Sequence, residues 1–240
     1  FAMTSLTDIR ITHAKCIAES GNIETAIDKK CLPNYIDTTL SEALILGLLR
    51  QNVRTFFTVF GHGSTEIGEV LRVYQQYGLV KTINVRSEIE ASHAAAALRW
   101  VTGQKSAVIT SIGPGALQAM AASIVSASDG LGVWYLFGDE TTEDEGPNMQ
   151  QIPKHEQHVF LQLCSTMGRA YTLDTPLALS TALRRGMNTV DHPFRQGPFY
   201  LLMPMNTQAV SLPSYNLDEL PSQMKVSLPE ASGDELYQAA

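Results

Sequence analysis

The sequence predicts an α/β fold, a parallel sheet covered by helices on both faces. Three observations predict it. From Thr38 onward, β-rich runs alternate with helical patterns. Those runs are almost continuously apolar, as in Thr55–Phe60 and Leu131–Phe137. A strand that alternates in and out has one wet face, whereas an unbroken apolar strand is covered on both. Finally, two glycine-rich turns follow strands, Gly61-His62-Gly63-Ser64 and Gly113-Pro114-Gly115. The carboxyl ends of strands are where such sheets bind ligands.

Taken in order, Phe1-Ala2 precede Met3 and are set aside as foreign to the fold. Residues 1–37 read as an N-terminal extension, with a helix near Ile9–Ser20 ended by Gly21-Asn22 and a turn at Pro33-Asn34. The main domain is expected over residues 38–208. Thr38 or Thr39 caps a helix with Leu40, Ala43, Leu44, Leu48 and Leu49 on one face. Helices are expected over Thr65–Tyr77, Glu88–Val101, Ala116–Ala127, Glu156–Cys164 and Pro176–Val190. Further strands are expected at Leu79–Val85, Ser106–Ser111, Arg169–Leu173 and Phe199–Met203. Residues 209–240, with Pro213 and Pro221 and little periodicity, read as a linker or the start of a further domain.

Composition narrows the function classes. The 240 residues carry 17 basic and 24 acidic side chains, a net charge of −7. No basic run gives a nucleic-acid footprint, and no apolar stretch approaches a membrane span. The N-terminus has no basic segment leading into an apolar one, so no signal peptide is expected. Cys16, Cys31 and Cys164 are odd in number, widely spaced and without a C-x-x-C. They read as reduced thiols of a cytoplasmic protein, neither zinc ligands nor a disulfide frame.

Familiar glycine motifs do not fit. In a G-x-G-x-x-G dinucleotide loop the third glycine would fall on Glu66, and Gly68 comes two residues late. Gly103-Gln104-Lys105-Ser106 lacks the Gly-Lys pair of a triphosphate loop, and no G-x-S-x-G elbow occurs. Glycines that end strands also need no ligand to explain them. The acidic run Asp139–Glu145 reads as a solvated loop rather than a metal cluster, and no metal ligand is expected on this chain.

A carboxylate adds chemistry to the turns. In Arg86-Ser87-Glu88-Ile89-Glu90, Ser87 caps a helix and Glu90 sits at capping-box spacing, which explains Glu90 structurally. Glu88 falls at the first helical position, where the helix dipole favours a negative charge. Of the histidines, His62 lies inside the first glycine turn and reads equally as a surface residue or a functional one. His93 reads as packed and hydrogen-bonded within its helix. His155 and His158 receive no role.

The ordered set Glu88, Ala91, His93-Ala94-Ala95, Thr102-Gly103, Thr110-Ser111, Gly113-Pro114-Gly115-Ala116 resembles the pyrimidine-binding domain of acetolactate-synthase-like thiamine-diphosphate enzymes. Phe60-Gly61-His62-Gly63 and Thr110-Ser111-Ile112-Gly113-Pro114-Gly115 are similar to the trihydroxycyclohexanedione hydrolases of inositol catabolism. The likeness covers roughly Thr38 to Gln208.

That resemblance implies a cofactor, thiamine diphosphate. It makes Glu88 the carboxyl beside pyrimidine N1′, where a shared proton promotes the imino tautomer whose 4′ nitrogen takes the thiazolium C2 proton. A dry, apolar setting would raise that acid toward the working pH. It places Gly61, Gly63, Ser111, Gly113, Pro114 and Gly115 around the cofactor and turns His62 toward the substrate as a catalytic candidate. It also implies a complementary diphosphate-binding half holding Mg2+, because the Gly-Asp-Gly motif is absent; Ser128-Asp129-Gly130 with Asn148 does not replace it. A homo- or hetero-oligomer follows. The implied chemistry makes or breaks a carbon–carbon bond beside the carbonyl of a 2-oxo acid or diketone. Two alternatives stand: a non-catalytic binding or regulatory module with the same fold, and a nucleotide-binding α/β domain.

Overall fold

The computed structural model describes residues 5–143, 158–225, 231–233 and 237–238. Helix α1 (Leu6–Ser20) opens with a capping box, Ser5 Oγ accepting from Asp8 N and the Asp8 carboxylate accepting from Ser5 N. Gly21, at φ 91°, ends it. After α2 (Ile23–Asp28) comes a short strand, β1 (Tyr35–Thr39), and then α3 (Leu40–Arg50), capped by Thr39. The repeating part follows as β2 (Thr55–Val59), α4 (Thr65–Gln76), β3 (Lys81–Asn84), α5 (Glu88–Thr102), β4 (Ser106–Thr110), α6 (Pro114–Ala122), α7 (Ile124–Ser128) and β5 (Trp134–Asp139). The chain closes with α8 (Val159–Met167), β6 (Arg169–Thr172), α9 (Leu179–Val190), β7 (Phe199–Pro204), α10 (Met205–Gln208) and β8 (Ser211–Asn216).

Six strands form one parallel sheet in the order β3-β2-β4-β5-β7-β6. The predicted architecture is therefore present, and the pleat shows why its strands read as unbroken apolar runs. Phe56, Ala107, Ile109, Trp134 and Leu136 face one core, which α1, α3, α4 and α9 cover. Their strand neighbours Phe57, Val108, Tyr135 and Phe137 face a second core under α5, α6 and α8. In β4, β5 and β7 successive apolar residues serve one core and then the other.

Several elements differ from expectation. The helix expected over Ala116–Ala127 is two, broken at Ser123, whose hydroxyl turns back to Met120 O and across to the Tyr200 hydroxyl. The segment before Thr38, expected as an N-terminal extension, packs on the sheet: Ala14, Ile17, Ile23 and Leu32 belong to the first core. Beyond Gln208, β8 pairs antiparallel with β1, with a bulge at which Ser214 N donates to the Asp37 carboxylate. Pro213 falls in that bulge, where no ladder donor is required. The start of the helix expected at Glu156 lies outside the described residues, as do His155, Asn148 and the end of the acidic run.

The cysteine reading is corrected. Cys16 and Cys31 are joined as a disulfide, and only Cys164 is free. The α1–α2 hairpin folds back on itself and brings the two Cα atoms to 5.8 Å, so distance along the chain misled. The cysteine pattern thus gives no argument for a reducing compartment. No helix among the described residues is long and apolar enough to cross a membrane.

Candidate functional site

The carboxyl ends of β2, β3, β4 and β5 each deliver a segment to one end of the sheet. After β2, Gly61 leads into a single tight turn over His62–Ser64, closed by Ser64 N donating to Gly61 O at 3.0 Å. The turn lies against the residues that follow β4. Gly63 N donates to Ser111 Oγ at 3.3 Å. A Cβ on Gly61 would stand 2.6 Å from Ser111 Oγ, and one on Gly63 would stand 2.3 Å from Ile112 Cγ1. Glycine is required at both positions because the neighbour occupies the side-chain space.

The far side of the turn is also fixed. Gly63 O accepts from Gln208 Nε2 at 2.8 Å, and the same amide donates to Met203 O at 2.9 Å. Gly138, in β5, packs so closely on Gly63 that any side chain would overlap its carbonyl. Gln208 is 2% exposed, so its amide has no water to replace these carbonyls. Sequence reasoning missed both Gln208 and Gly138.

Glu88 enters from the next strand end. Ser87 caps α5, its Oγ accepting from Glu90 N at 3.3 Å. The reciprocal bond shifts by one residue: the Glu90 carboxylate accepts from Arg86 N at 3.0 Å rather than from the cap. Glu90 is therefore occupied in shaping the helix start. Glu88 is not. Its carboxylate lies over Gly115, where a Cβ would stand 2.7 Å from Oε1. Among the described residues it accepts no hydrogen bond. The Ser111–Gly115 segment thus touches the glycine turn at one end and Glu88 at the other. Gly113, at φ 60°, makes the bend that allows it, and Pro114 opens α6.

Two expectations about this end need correction. His93 is exposed rather than packed, because no element among the described residues covers its side of α5. Glu88 is half-buried, not sealed in an apolar pocket, and Ile89 beside it is 43% exposed. The described residues leave the carboxylate half-exposed. His62 is exposed at the rim of the turn, with its main chain fixed and its ring in solvent. Among the described residues, no group of three or more His, Cys, Asp or Glu is placed to hold a metal ion.

The arrangement is a neutral, glycine-lined shelf with one uncommitted carboxylate at its side. Such a shelf admits a flat ring close to the main chain, and the carboxylate can share a proton with a ring nitrogen. Gly115 leaves the space that the carboxylate occupies, so the residues present fit an aminopyrimidine beside Glu88.

Comparison with known proteins identifies a family. Residues 38–162 match the family described as thiamine pyrophosphate enzyme, N-terminal TPP binding domain. The chain is also similar to proteins named 3D-(3,5/4)-trihydroxycyclohexane-1,2-dione hydrolase. The one from Bacillus licheniformis is 27% identical over 201 residues, covering 77% of this chain and 31% of the relative. That from Clostridium botulinum strain Eklund 17B is 27% identical over 198 residues, covering 78% and 30%. That from Bacillus cereus strain AH820 is 25% identical over 192 residues, covering 76% and 30%. The chain therefore spans about 30% of the length of these curated relatives.

Proposed function

Because the chain belongs to the thiamine pyrophosphate enzymes, as their N-terminal TPP-binding domain, we propose that it is the pyrimidine-binding half of an enzyme that makes or breaks a carbon–carbon bond beside a carbonyl. The observation that carries this is the Glu88 carboxylate, held over Gly115 at the end of the sheet and accepting no hydrogen bond among the described residues. When bound, thiamine diphosphate supplies a thiazolium carbon that reacts with carbonyl carbons; the protein supplies geometry and proton control. Glu88 holds a proton at the pyrimidine N1′ position. The Gly61–Gly63 turn, Ser111 and Gly113–Gly115 form the surface against which the ring rests. His62 stands at the rim, placed to exchange a proton with a substrate oxygen.

The diphosphate and its Mg2+ belong to a complementary half, in the same polypeptide or another. The length of the relatives supports this, as does the uncovered side of Glu88. The substrate class is a 2-oxo acid or a diketone, the latter favoured by the names of the relatives.

Calorimetry tests the division of labour. The isolated chain should bind thiamine diphosphate weakly, and mixing it with a polypeptide that carries the complementary half should give tight, magnesium-dependent binding. Tight binding by the isolated chain without metal would overturn the split site.

A further inference from the structure

The opposite end of the sheet carries a second concave surface. A cleft of about 540 Å3 opens at the amino ends of β2 and β4, between the end of α5 and the segment after β8. We propose that this cleft binds a phosphorylated small molecule through Arg54, Arg99 and Lys105, independently of the cofactor end. The inference does not rest on the function proposed for Glu88.

Charge is the first argument. The chain is acidic overall, at −7. The cleft nonetheless gathers three cations, and its lining contains a single carboxylate among the described residues, Asp191. Lys105 Nζ meets Asp191 Oδ2 at 2.8 Å, and Arg99 Nη2 stands 3.8 Å from Oδ1. One carboxylate thus faces two cations in a setting where Lys105 is only 7% exposed. Arg54 adds a third. Charges crowded out of water in this way favour an anion that restores balance.

Unspent donors are the second argument. The Lys105 ammonium carries three hydrogens and makes one bond among the described residues. Arg99 is held in place rather than mobile. Its Nη1 donates to Gly103 O at 2.6 Å and its Nη2 to Gln196 Oε1 at 3.0 Å, which leaves Nε without a partner there. Arg54 donates from Nε to Asn52 and from Nη1 to Leu79 O, leaving Nη2 without a partner among the described residues. Pre-positioned guanidinium forks suit phosphate oxygens, which accept two parallel bonds. Gln104 and Gln223 add neutral amides, and the volume lies within the usual range for small-molecule sites.

Pyrophosphate is a direct probe. Titrated into the chain at low salt and followed by calorimetry, it should bind saturably at one site. Arg54→Gln and Arg99→Gln should each weaken binding about tenfold or more, since each removes a charge-assisted contact. Arg72→Gln, a cation on α4 outside the cleft, should bind as wild type does. Arg54 is exposed and Arg99 is not, so a folding defect in the Arg99 variant would still leave the Arg54 variant to decide. Succinate, a dianion without phosphorus, should bind at least tenfold more weakly, about 1.4 kcal/mol at 25 °C. No saturable binding, equal loss in the Arg72 variant, or equal affinity for succinate would overturn the proposal.

Discussion

The two faces of the sheet are closed to different degrees. On one face, α3 has ten of its eleven residues buried, from Leu40 to Leu49, beneath its neighbours α1, α4 and α9. On the other, α5 buries only Ala91, Ser92, Ala95 and Ala96 of fifteen residues. Trp100 and Val101 are 70% and 83% exposed at its far end, and Ile124 on α7 is half-exposed. The difference teaches what each face is for. The first is complete within this chain and supplies its stability. The second is small-residue packing beneath an apolar exterior, the pattern of a surface that another body covers.

The closed face is held by a buried polar centre as well as by apolar contact. The Glu42 carboxylate accepts from the Tyr74 hydroxyl at 2.8 Å and from Thr38 Oγ1 at 2.7 Å, and pairs with His13 Nδ1 at 2.9 Å. Arg10 of α1 lies beside it and bridges to Thr39 and to Glu66 of α4. Burial alone would raise the Glu42 carboxyl, but the bonds from His13, Thr38 and Tyr74 outweigh it and hold it below the ordinary glutamate range. Glu42→Ala would leave Arg10 buried beside a lost partner and should cost about 3–5 kcal/mol in denaturant unfolding. A loss below about 1 kcal/mol would show that the centre does not hold α1 to the domain. A lowered folded value means that Glu42 contributes stability above the ordinary glutamate range. That contribution should disappear as pH falls through the lowered folded value, and the acid-side decline should flatten in Glu42→Gln.

Gly186 of α9 tests the same face by packing. A Cβ there would stand 1.9 Å from Trp134 Cη2. Gly186→Ala should therefore destabilise by about 1–3 kcal/mol through overpacking. An unchanged melting temperature would mean that Trp134 has room to move, and the contrast between faces would weaken.

The open face should behave in the opposite way. Trp100→Ser should change the stability of the chain by no more than about 0.5 kcal/mol, as expected of an exposed position. It should weaken association with the complementary half at least about tenfold, because buried tryptophans dominate interfaces. Sedimentation of the mixed halves measures this. Unaltered association would place the partner elsewhere, and a marked loss of stability would show that this face is already finished.

What was legible in the sequence follows the same division. Strands β2, β4, β5 and β7 stand out because both pleats need apolar residues. Ser87 announces the start of α5, and the order of glycines after β2 and β4 points to the shelf. The ribbon of β1 and β8 was invisible, since two strands with polar residues and Pro213 carry neither alternation nor an apolar run. Gln208 was invisible for another reason. Its amide bonds the carbonyls of Met203 nearby and of distant Gly63, and neither contact leaves a periodic trace. The Arg10–Glu42 centre likewise reads as ordinary surface charge until α1 folds onto α3. The exposure of His93 and the open side of Glu88 depend on what covers α5, which no local pattern encodes.

The central claim is that Glu88 serves the cofactor rather than the helix. Glu88→Gln keeps the size of the side chain and removes its ionisable proton, while Glu90→Gln removes a charge that only shapes the helix start. In the assembled enzyme with thiamine diphosphate, hydrogen–deuterium exchange at the thiazolium C2 position separates the two. The Glu88 variant should exchange about a hundredfold to ten-thousandfold more slowly than wild type, the usual range for lost acid–base assistance. The Glu90 variant should exchange at the wild-type rate, because glutamine can still accept from Arg86 N. Wild-type exchange in the Glu88 variant would contradict the account and leave Glu88 as no more than a charge at a helix start.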